Sequence, residues 1–295
     1  PQGSWVTSSG APKCGKTTLA IKFAKECQLH GMNVFYGNVE GRLKSGLNLD
    51  GCEGLDVDKV HVVGSQPGNI LSAEDNLTIF DNILSTDQKC LLIIDSASAL
   101  CAEAEQIGNF ERGRSSGPTL LAKFCRKLGN VIPVQNNIVW VIQHLIANTS
   151  GFGSPFYEDG GNKLKYQADI HFRAKSVKKE ESAGRLVGQT TVWDIITSAL
   201  GAPAKGVKTC IKYGIGIDEY KELFLLGTEL GLIDKSGSWF KFNFISDQEE
   251  TPSAQGEQNS VSYLRENPHY TKQLNDMIRS IYFGQEVETE KSQKN

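Results

Sequence analysis

The stretch Gly10-Ala11-Pro12-Lys13-Cys14-Gly15-Lys16-Thr17 has the form G-x-x-x-x-G-K-[ST], a phosphate-binding P-loop. Residues 4–8 before it read as a short buried strand. Residues 18–29 after it read as a helix with Leu19, Phe23 and Cys27 on one face. Strand, glycine loop and helix are the context in which the motif works. Glycines let the backbone curl until several N–H groups face one anion, and the helix N-terminus adds partial positive charge at the same point. In that setting the backbone from Gly10 through Thr18 cradles phosphates. Lys16 reaches the β- and γ-phosphates, and the Thr17 hydroxyl ligates Mg2+.

Outward from this stretch the pattern alternates. Residues 33–40 read as a second strand ending in Glu40, residues 41–58 as a helix and a long loop, and residues 60–63 as a short strand. Residues 73–84 carry apolar side chains at helical spacing. Cys90–Asp95 is a continuous apolar run closed by an acid, the mark of a strand buried on both faces of a parallel sheet. A helix with a basic C-terminal half follows at 118–128, then a buried strand at 138–142 ended by Gln143 and His144. Strands alternating with helices give an α/β fold with a largely parallel central sheet. Residues 168–174, 189–198 and 207–213 alternate like strands of an antiparallel extension. Near Ile217 the texture changes: 218–230 is helical, 238–244 strand-like, 247–259 a polar loop, and 260–282 one long amphipathic helix. The expected organisation is a core over 1–216, a small α+β domain over 217–283 and a disordered tail over 284–295.

The strand ends carry the candidate chemistry. Asp95 sits where a parallel strand opens beside the P-loop, placed to hold Mg2+ through water. Glu40 could orient an attacking water as general base, and a solvated strand-end acid is an equal reading. Gln143-His144 could sense a γ-phosphate, and a polar pair facing solvent is again equal. Residues 103–116, with Arg112 and Arg114, and residues 146–163 are irregular. The second segment runs into Gly160-Gly161-Asn162-Lys163-Leu164-Lys165, and Arg126 with Lys127 closes the intervening helix. Converging cations and glycines suit a nucleic-acid backbone, although basic helix ends are commonly just solvated.

Composition sets the bounds. The 295 residues are 39% hydrophobic and 22% charged, as in a soluble globular protein, with ample chain for a core. A net charge of −3 leaves any nucleic-acid contact to local basic patches. Seven cysteines form no C-x-x-C pair, which fits a reducing, cytoplasmic setting. Cys14, inside the P-loop, reads as a tolerated side chain, with an oxidisable thiol as the other reading. No apolar run reaches membrane-spanning length. The chain opens at Pro1, almost on the first strand, so a preceding segment is expected to be missing from it.

Longer motifs sharpen this. Leu91-Leu-Ile-Ile-Asp-Ser-Ala-Ser-Ala-Leu100, Gly160-Gly-Asn-Lys-Leu-Lys-Tyr166, and the run from Asp56-Val-Asp58 to Gly64-Ser-Gln-Pro67 resemble the bacterial RecA recombinase family. Gly201-Ala-Pro203, Tyr213-Gly-Ile-Gly-Ile217, Gly231-Leu-Ile-Asp-Lys-Ser-Gly-Ser-Trp239 and Tyr263-Leu-Arg-Glu-Asn-Pro268 extend the likeness from about residue 2 to about 283 without reordering. The divergence resembles that of a phage-type or otherwise remote member. The resemblance implies a RecA-like P-loop ATPase core with a small C-terminal domain. It implies ATP and Mg2+ as cofactors, single-stranded and homologous duplex DNA as partners, and self-assembly into a helical filament. Lys16, Thr17 and Asp95 match its nucleotide and metal residues, and Glu40 its catalytic glutamate. Residues 103–116 and 146–163 match its two DNA-binding loops, and Arg126 a basic residue facing DNA. His144 takes the position of its γ-phosphate sensor, a glutamine in the family. A neutral imidazole still donates one hydrogen bond, and it could make the switch pH-dependent.

The sequence also departs from the family. The nearest counterpart of its adenine-stacking tyrosine is Leu47, and Lys44 replaces an acid, which opens the question of base selectivity. Two family lysines that reach a neighbouring subunit's ATP read Thr197 and Ala199, so coupling across that interface is expected to be weaker or differently built. The family's acidic tail is reduced to Glu286, Glu288 and Glu290, mixed with Lys291 and Lys294. Its N-terminal polymerisation helix would precede Pro1. The competing readings are a hexameric helicase-like or clock-type ATPase of the same superfamily, and a filament former that binds ATP with little hydrolysis.

Overall fold

Ser4–Gly10 (β1) is a strand with all seven residues buried, and the central sheet is laid out around it. The computed structural model describes residues 2–43, 52–107, 116–148, 152–182, 184–199, 201–246 and 250–284. After β1 come Lys16–Leu29 (α1), Asn33–Asn38 (β2), Val60–Val63 (β3), Ala73–Thr86 (α2) and Cys90–Asp95 (β4). Then follow Glu103–Ile107 (α3), Gly117–Leu128 (α4), Val131–Gln135 (α5), Ile138–Ala147 (β5), Phe156–Glu158 (β6) and Asn162–Gln167 (α6). Ile170–Ser182 (β7), Arg185–Ser198 (β8), Val207–Lys212 (β9) and Gly216–Ile217 (β10) complete the sheet. Its order is β10-β9-β8-β7-β1-β5-β4-β2-β3, with β6 on β5. From β7 to β3 the pairs are parallel, and from β7 to β10 antiparallel.

The continuous apolar strands are buried on both faces because period-2 alternation feeds two cores. Leu92 and Ile94 of β4 with Val139 and Val141 of β5 face a core shared with Leu77, Phe80 and Leu84 of α2 and Leu121, Phe124 and Leu128 of α4. Leu91, Ile93, Ile138, Trp140 and Ile142 point the other way, onto Ala20, Ile21, Ala24 and Cys27 of α1. Each buried Val, Leu, Ile or Phe among them contributes about 1.5–3 kcal/mol relative to exposure. α2 begins at a capping box, in which Asp75 N donates to Ser72 Oγ at 3.1 Å and Ser72 N to Asp75 Oδ2 at 3.0 Å. Its other end is tied to β4 by buried Asn137, whose Nδ2 donates to Leu84 O at 2.9 Å while its Oδ1 accepts from Cys90 N at 2.9 Å.

Several sequence expectations shift. The buried stripe of α1 is Ala20, Ile21, Ala24 and Cys27, with Leu19 and Phe23 only partly buried beside it, because the helix inserts its small residues closest to the sheet. The strand at 138–142 does not end at Gln143-His144 but runs to Ala147, since β6 supplies a partner for its extra length. The segment 146–163 is correspondingly not wholly irregular, and 103–116 opens with α3.

The chain divides into two units, Pro1–Ile217 and Asp218–Asn295. The second contains Glu219–Glu229 (α7), a three-stranded antiparallel sheet of Asp234–Ser236 (β11), Trp239–Lys241 (β12) and Ser253–Gln255 (β13), and helices Glu257–Glu266 (α8) and Pro268–Phe283 (α9). β13 falls inside the expected polar loop, where it pairs with β12. The expected single helix over 260–282 is two. Pro268 has no N–H to continue α8 but suits the first turn of α9. Thr271 Oγ1 donates to Leu264 O at 2.6 Å across the break. Phe224, Phe242, Leu264, Leu274 and Ile278 form this unit's core. Apart from Gly284, the expected tail lies outside the described residues.

Candidate functional site

The sheet register assembles the site. β1 and β5 run level so that Gly10 stands beside His144, and β2 and β4 so that Asn38 stands beside Asp95. The loop Gly10–Thr17 therefore opens between the ends of strands carrying His144, Asp95 and, two residues past Asn38, Glu40. Within the loop Lys13 and Gly15 adopt positive φ of 61° and 94°. At Gly15 that φ is one that side chains with a Cβ rarely adopt, and a Cβ there would also lie 2.4 Å from Ile211 Cδ1 and force it to shift. β8 holds the loop from outside: Thr191 Oγ1 donates to Cys14 O at 2.8 Å and Gln189 Nε2 to Lys13 O at 3.1 Å. Cys14 is buried, which pushes its thiol above the ordinary range despite the opposing charge of Lys16.

Lys16 is also buried, and its ammonium donates to the carbonyls of Gly10 and Ala11, both at 2.9 Å. Asp95 Oδ2 accepts from Thr17 Oγ1 at 2.7 Å and from Tyr36 OH at 2.6 Å. Burial, then the Asp95 charge, push the Tyr36 phenol upward, so it stays a neutral donor. The Asp95–Ser96 peptide is cis. Glu40 N donates to Asp95 O at 3.1 Å, linking the two strand ends. The Glu40 carboxylate takes Ser96 Oγ at 2.6 Å and His144 Nε2 at 2.9 Å on Oε1, and Arg42 Nε at 2.6 Å on Oε2. His144 N donates to Ser98 Oγ at 3.0 Å.

Lys16, Thr17, Tyr36, Glu40, Arg42, Asp95 and His144 line a cavity of about 460 Å3, walled further by Pro12, Thr18, Leu43, Gln189, Ile211 and Tyr213. That is room for a nucleotide-sized ligand. Thr17 and Asp95 offer one hydroxyl and one carboxylate, hard oxygen donors of the kind that hold Mg2+ together with phosphate oxygens and water. Among the described residues no group of three or more His, Cys, Asp and Glu side chains could hold a metal by itself. Tyr36, Arg42, Ser96, Gln189 and Thr191 were not singled out in the sequence. Only the strand-end position of Ser96 and the closeness of Arg42 to Glu40 were visible there.

A second cleft, of about 390 Å3, gathers Arg126, Gly161, Asn162 and Lys163 with Pro118, Thr119 and Ala122. α4 supplies one wall and the start of α6 the other. Gly160 is buried, and a Cβ on it would approach Gln143 Nε2 of β5 to 3.2 Å, whereas a Cβ on exposed Gly161 would meet Pro118 Cβ of α4 at 3.3 Å. Lys165 is exposed on α6 and does not line this cleft. Lys127 pairs with Asp81 at 2.5 Å, away from it. Phe152, Phe156, Tyr157 and Tyr166 are exposed aromatics in or just beyond the second irregular segment. Arg112, Arg114, Lys44 and Leu47 lie outside the described residues. Thr197 pairs with His171 in the sheet, and Ala199 N donates to Asp169 O at 2.8 Å.

The RecA N-terminal domain family matches residues 1–218 and the RecA C-terminal domain family residues 221–282. The chain belongs to the RecA family. It is 29% identical over 285 residues to "Protein RecA" of Wigglesworthia glossinidia brevipalpis, covering 95% of this chain and 82% of that one. "Protein RecA" of Zymomonas mobilis subsp. mobilis is 29% identical over 289 residues, with 95% and 76% covered. That of Paramagnetospirillum magneticum is 29% identical over 289 residues, with 95% and 75% covered. The mixed sheet with helices on both faces, followed by a small α+β unit, fits the RecA fold. Among the described residues no helix of this RecA-family chain is long and apolar enough to cross a membrane.

Proposed function

We propose that the chain is a cytoplasmic DNA-dependent ATPase of homologous recombination, which polymerises on single-stranded DNA and promotes pairing and strand exchange with a homologous duplex. Residues 1–216 would be the ATPase core and 217–283 a small accessory domain. The observation that carries the reading is the ring of Lys16, Thr17, Asp95, Glu40 and His144 around one P-loop cavity. Family membership supports the DNA partner, and the cleft of Arg126, Gly161, Asn162 and Lys163 offers the backbone-binding chemistry it needs.

ATP phosphates take the loop N–H groups from Lys13 to Thr18, and Lys16 exchanges its Gly10 and Ala11 carbonyls for phosphate oxygens. Thr17 and Asp95 would hold Mg2+, which would supply positive charge against the phosphates. Glu40 orients a water and takes its proton as the water oxygen bonds to the γ-phosphorus. The bond to the β–γ bridging oxygen breaks, releasing ADP and phosphate. His144, hydrogen-bonded to Glu40, registers the γ-phosphate. Its neighbour Gln143 donates to Asp159 O, at the foot of the second segment. ATP binding thereby sets the DNA grip, and hydrolysis releases it.

ATP turnover with and without single-stranded DNA tests the reading. Strong stimulation by DNA, lost in Glu40→Gln, is the expected result. Turnover indifferent to DNA would sink it.

A further inference from the structure

A second connection, between β1 and β6, joins the P-loop strand to the segment 146–163. β6 is three residues long and pairs with β5 through Leu145–Glu158, Ile146–Tyr157 and Ala147–Phe156. A two-stranded extension so short does not hold itself in water. Phe156 and Tyr157 are each 51% exposed and contribute little packing. Glu158 is different. Its side chain is 12% exposed and turned inward. It pairs with Arg173, and its Oε1 lies 3.4 Å from His171 Nε2 and 3.5 Å from Ser9 Oγ. His171 is in turn clasped by β1, with Thr7 Oγ1 2.6 Å from Nδ1 and Ser9 Oγ 3.2 Å from Nε2. The register explains the meeting: Thr7 pairs with His171 and Ser9 with Arg173 across β1 and β7.

We propose that Glu158, held by Arg173 and His171, is a positioning anchor that fixes the β5–β6 hairpin to Ser9 and thereby sets the second segment's grip on single-stranded DNA. The DNA half rests on the function proposed above. Three observations carry it. A buried carboxylate must be paired, and the pairing here draws its partners from two other strands. Ser9 directly precedes Gly10, whose carbonyl accepts from Lys16, so the anchor ends at the phosphate loop itself. On the other side Asp159 N donates to His144 O at 3.0 Å, and the next residue starts the glycine pair leading to Asn162 and Lys163. Hydrogen bonding to His171, then to Arg173, holds the Glu158 carboxyl far below the usual carboxylate range, as expected of an ion kept charged by its neighbours. The hairpin is therefore tied to its own strand through Gln143 and His144 and to β1 and β7 through Glu158, and the Glu158 tie reaches the P-loop by way of Ser9 and not through Glu40 or the His144 side chain.

The test compares the parent protein, Glu158→Gln, Arg173→Lys and the swapped pair Glu158→Arg/Arg173→Glu. Chymotrypsin cleavage after Phe152, Phe156 and Tyr157, followed by mass spectrometry, reads the hairpin alone. Anisotropy of a labelled oligonucleotide with a non-hydrolysable ATP analogue reads the grip. Glu158→Gln should raise cleavage on the order of tenfold, because proteolysis follows the population of the opened form. It should weaken oligonucleotide binding on a similar order, about 1.4 kcal/mol per factor of ten. Arg173→Lys should track the parent, and the swap should recover part of both losses. Unchanged cleavage in Glu158→Gln overturns the anchor. Raised cleavage with unchanged oligonucleotide affinity overturns its link to DNA. A parent that binds no oligonucleotide defeats the proposed function, while the cleavage result still decides the anchor. If Glu158→Gln fails to fold by circular dichroism, Glu158→Asp, which withdraws the carboxylate by one methylene, is read in its place by the same two assays.

Discussion

In the P-loop cleft Lys16, Asp95 and Glu40 are each held by other groups of the chain, whereas in the cleft between α4 and α6 the cations Arg126 and Lys163 stand in solvent. The difference follows from what each would bind. A general base and a metal-binding carboxylate act only within a few tenths of an ångström of their targets, so their rotamers must be fixed before the ligand arrives. A nucleic-acid backbone is a line of charges, and exposed cations beside glycines bind it with little preorganisation. The held residues should therefore fail sharply when changed, and the exposed ones gradually.

The largest expected effect is in the held cleft. Glu40→Gln should lower ATP turnover by roughly 10²–10⁴-fold while nucleotide binding persists, since general-base catalysis contributes that much. A variant keeping a tenth of parental turnover would make Glu40 an ordinary strand-end acid. Next is the joint between the clefts. Glu158→Gln should cost about 1.5–3 kcal/mol at neutral pH, the range for hydrogen bonds to a charged group. The Glu158 carboxyl is lowered from 4.5 to about 2, so its contribution is complete above pH 4.5 and is lost as the pH falls toward 2. Denaturation midpoints of parent and variant should converge over that window. A gap constant down to pH 3 would break the assignment of this joint to an ion pair.

In the exposed cleft, Arg126→Ala and Lys163→Ala should each weaken single-stranded DNA binding only several-fold. Each should reduce the slope of log affinity against log salt by about 0.7. An unchanged salt slope would remove that residue from the backbone contact. The smallest effect concerns Cys14. Buried at 1% exposure with its thiol pushed up, it should resist iodoacetamide in the native protein while exposed Cys101 is alkylated, with turnover unchanged. Early labelling of Cys14 would show that the P-loop is less tightly held than the comparison requires.

Much of this is legible in the sequence. Gly10–Thr17 carries its chemistry in its spacing, and Cys90–Asp95 its double burial in an unbroken apolar run. What stayed hidden was set by partners distant in sequence. The strand at 138–142 looked finished at Gln143 because nothing local says that residues 156–158 return to pair with it. A helix over 260–282 looked continuous because the apolar period runs straight through Pro268, whose missing N–H outweighs it. Tyr36, 59 residues from Asp95, donates to it only because β2 and β4 lie level.

The sequence by itself determined the phosphate loop, the order of strands and helices, and which strand ends carry carboxylates. These rest on local backbone freedom and on hydrophobic period, both readable within a few residues. Only the tertiary structure decided that Gly10 stands beside His144, that Glu40 is shared among Ser96, His144 and Arg42, and that Glu158 reaches Ser9. Parallel sheet register sets those meetings, and register is fixed by how two cores pack on opposite faces of one sheet, a property of no single stretch.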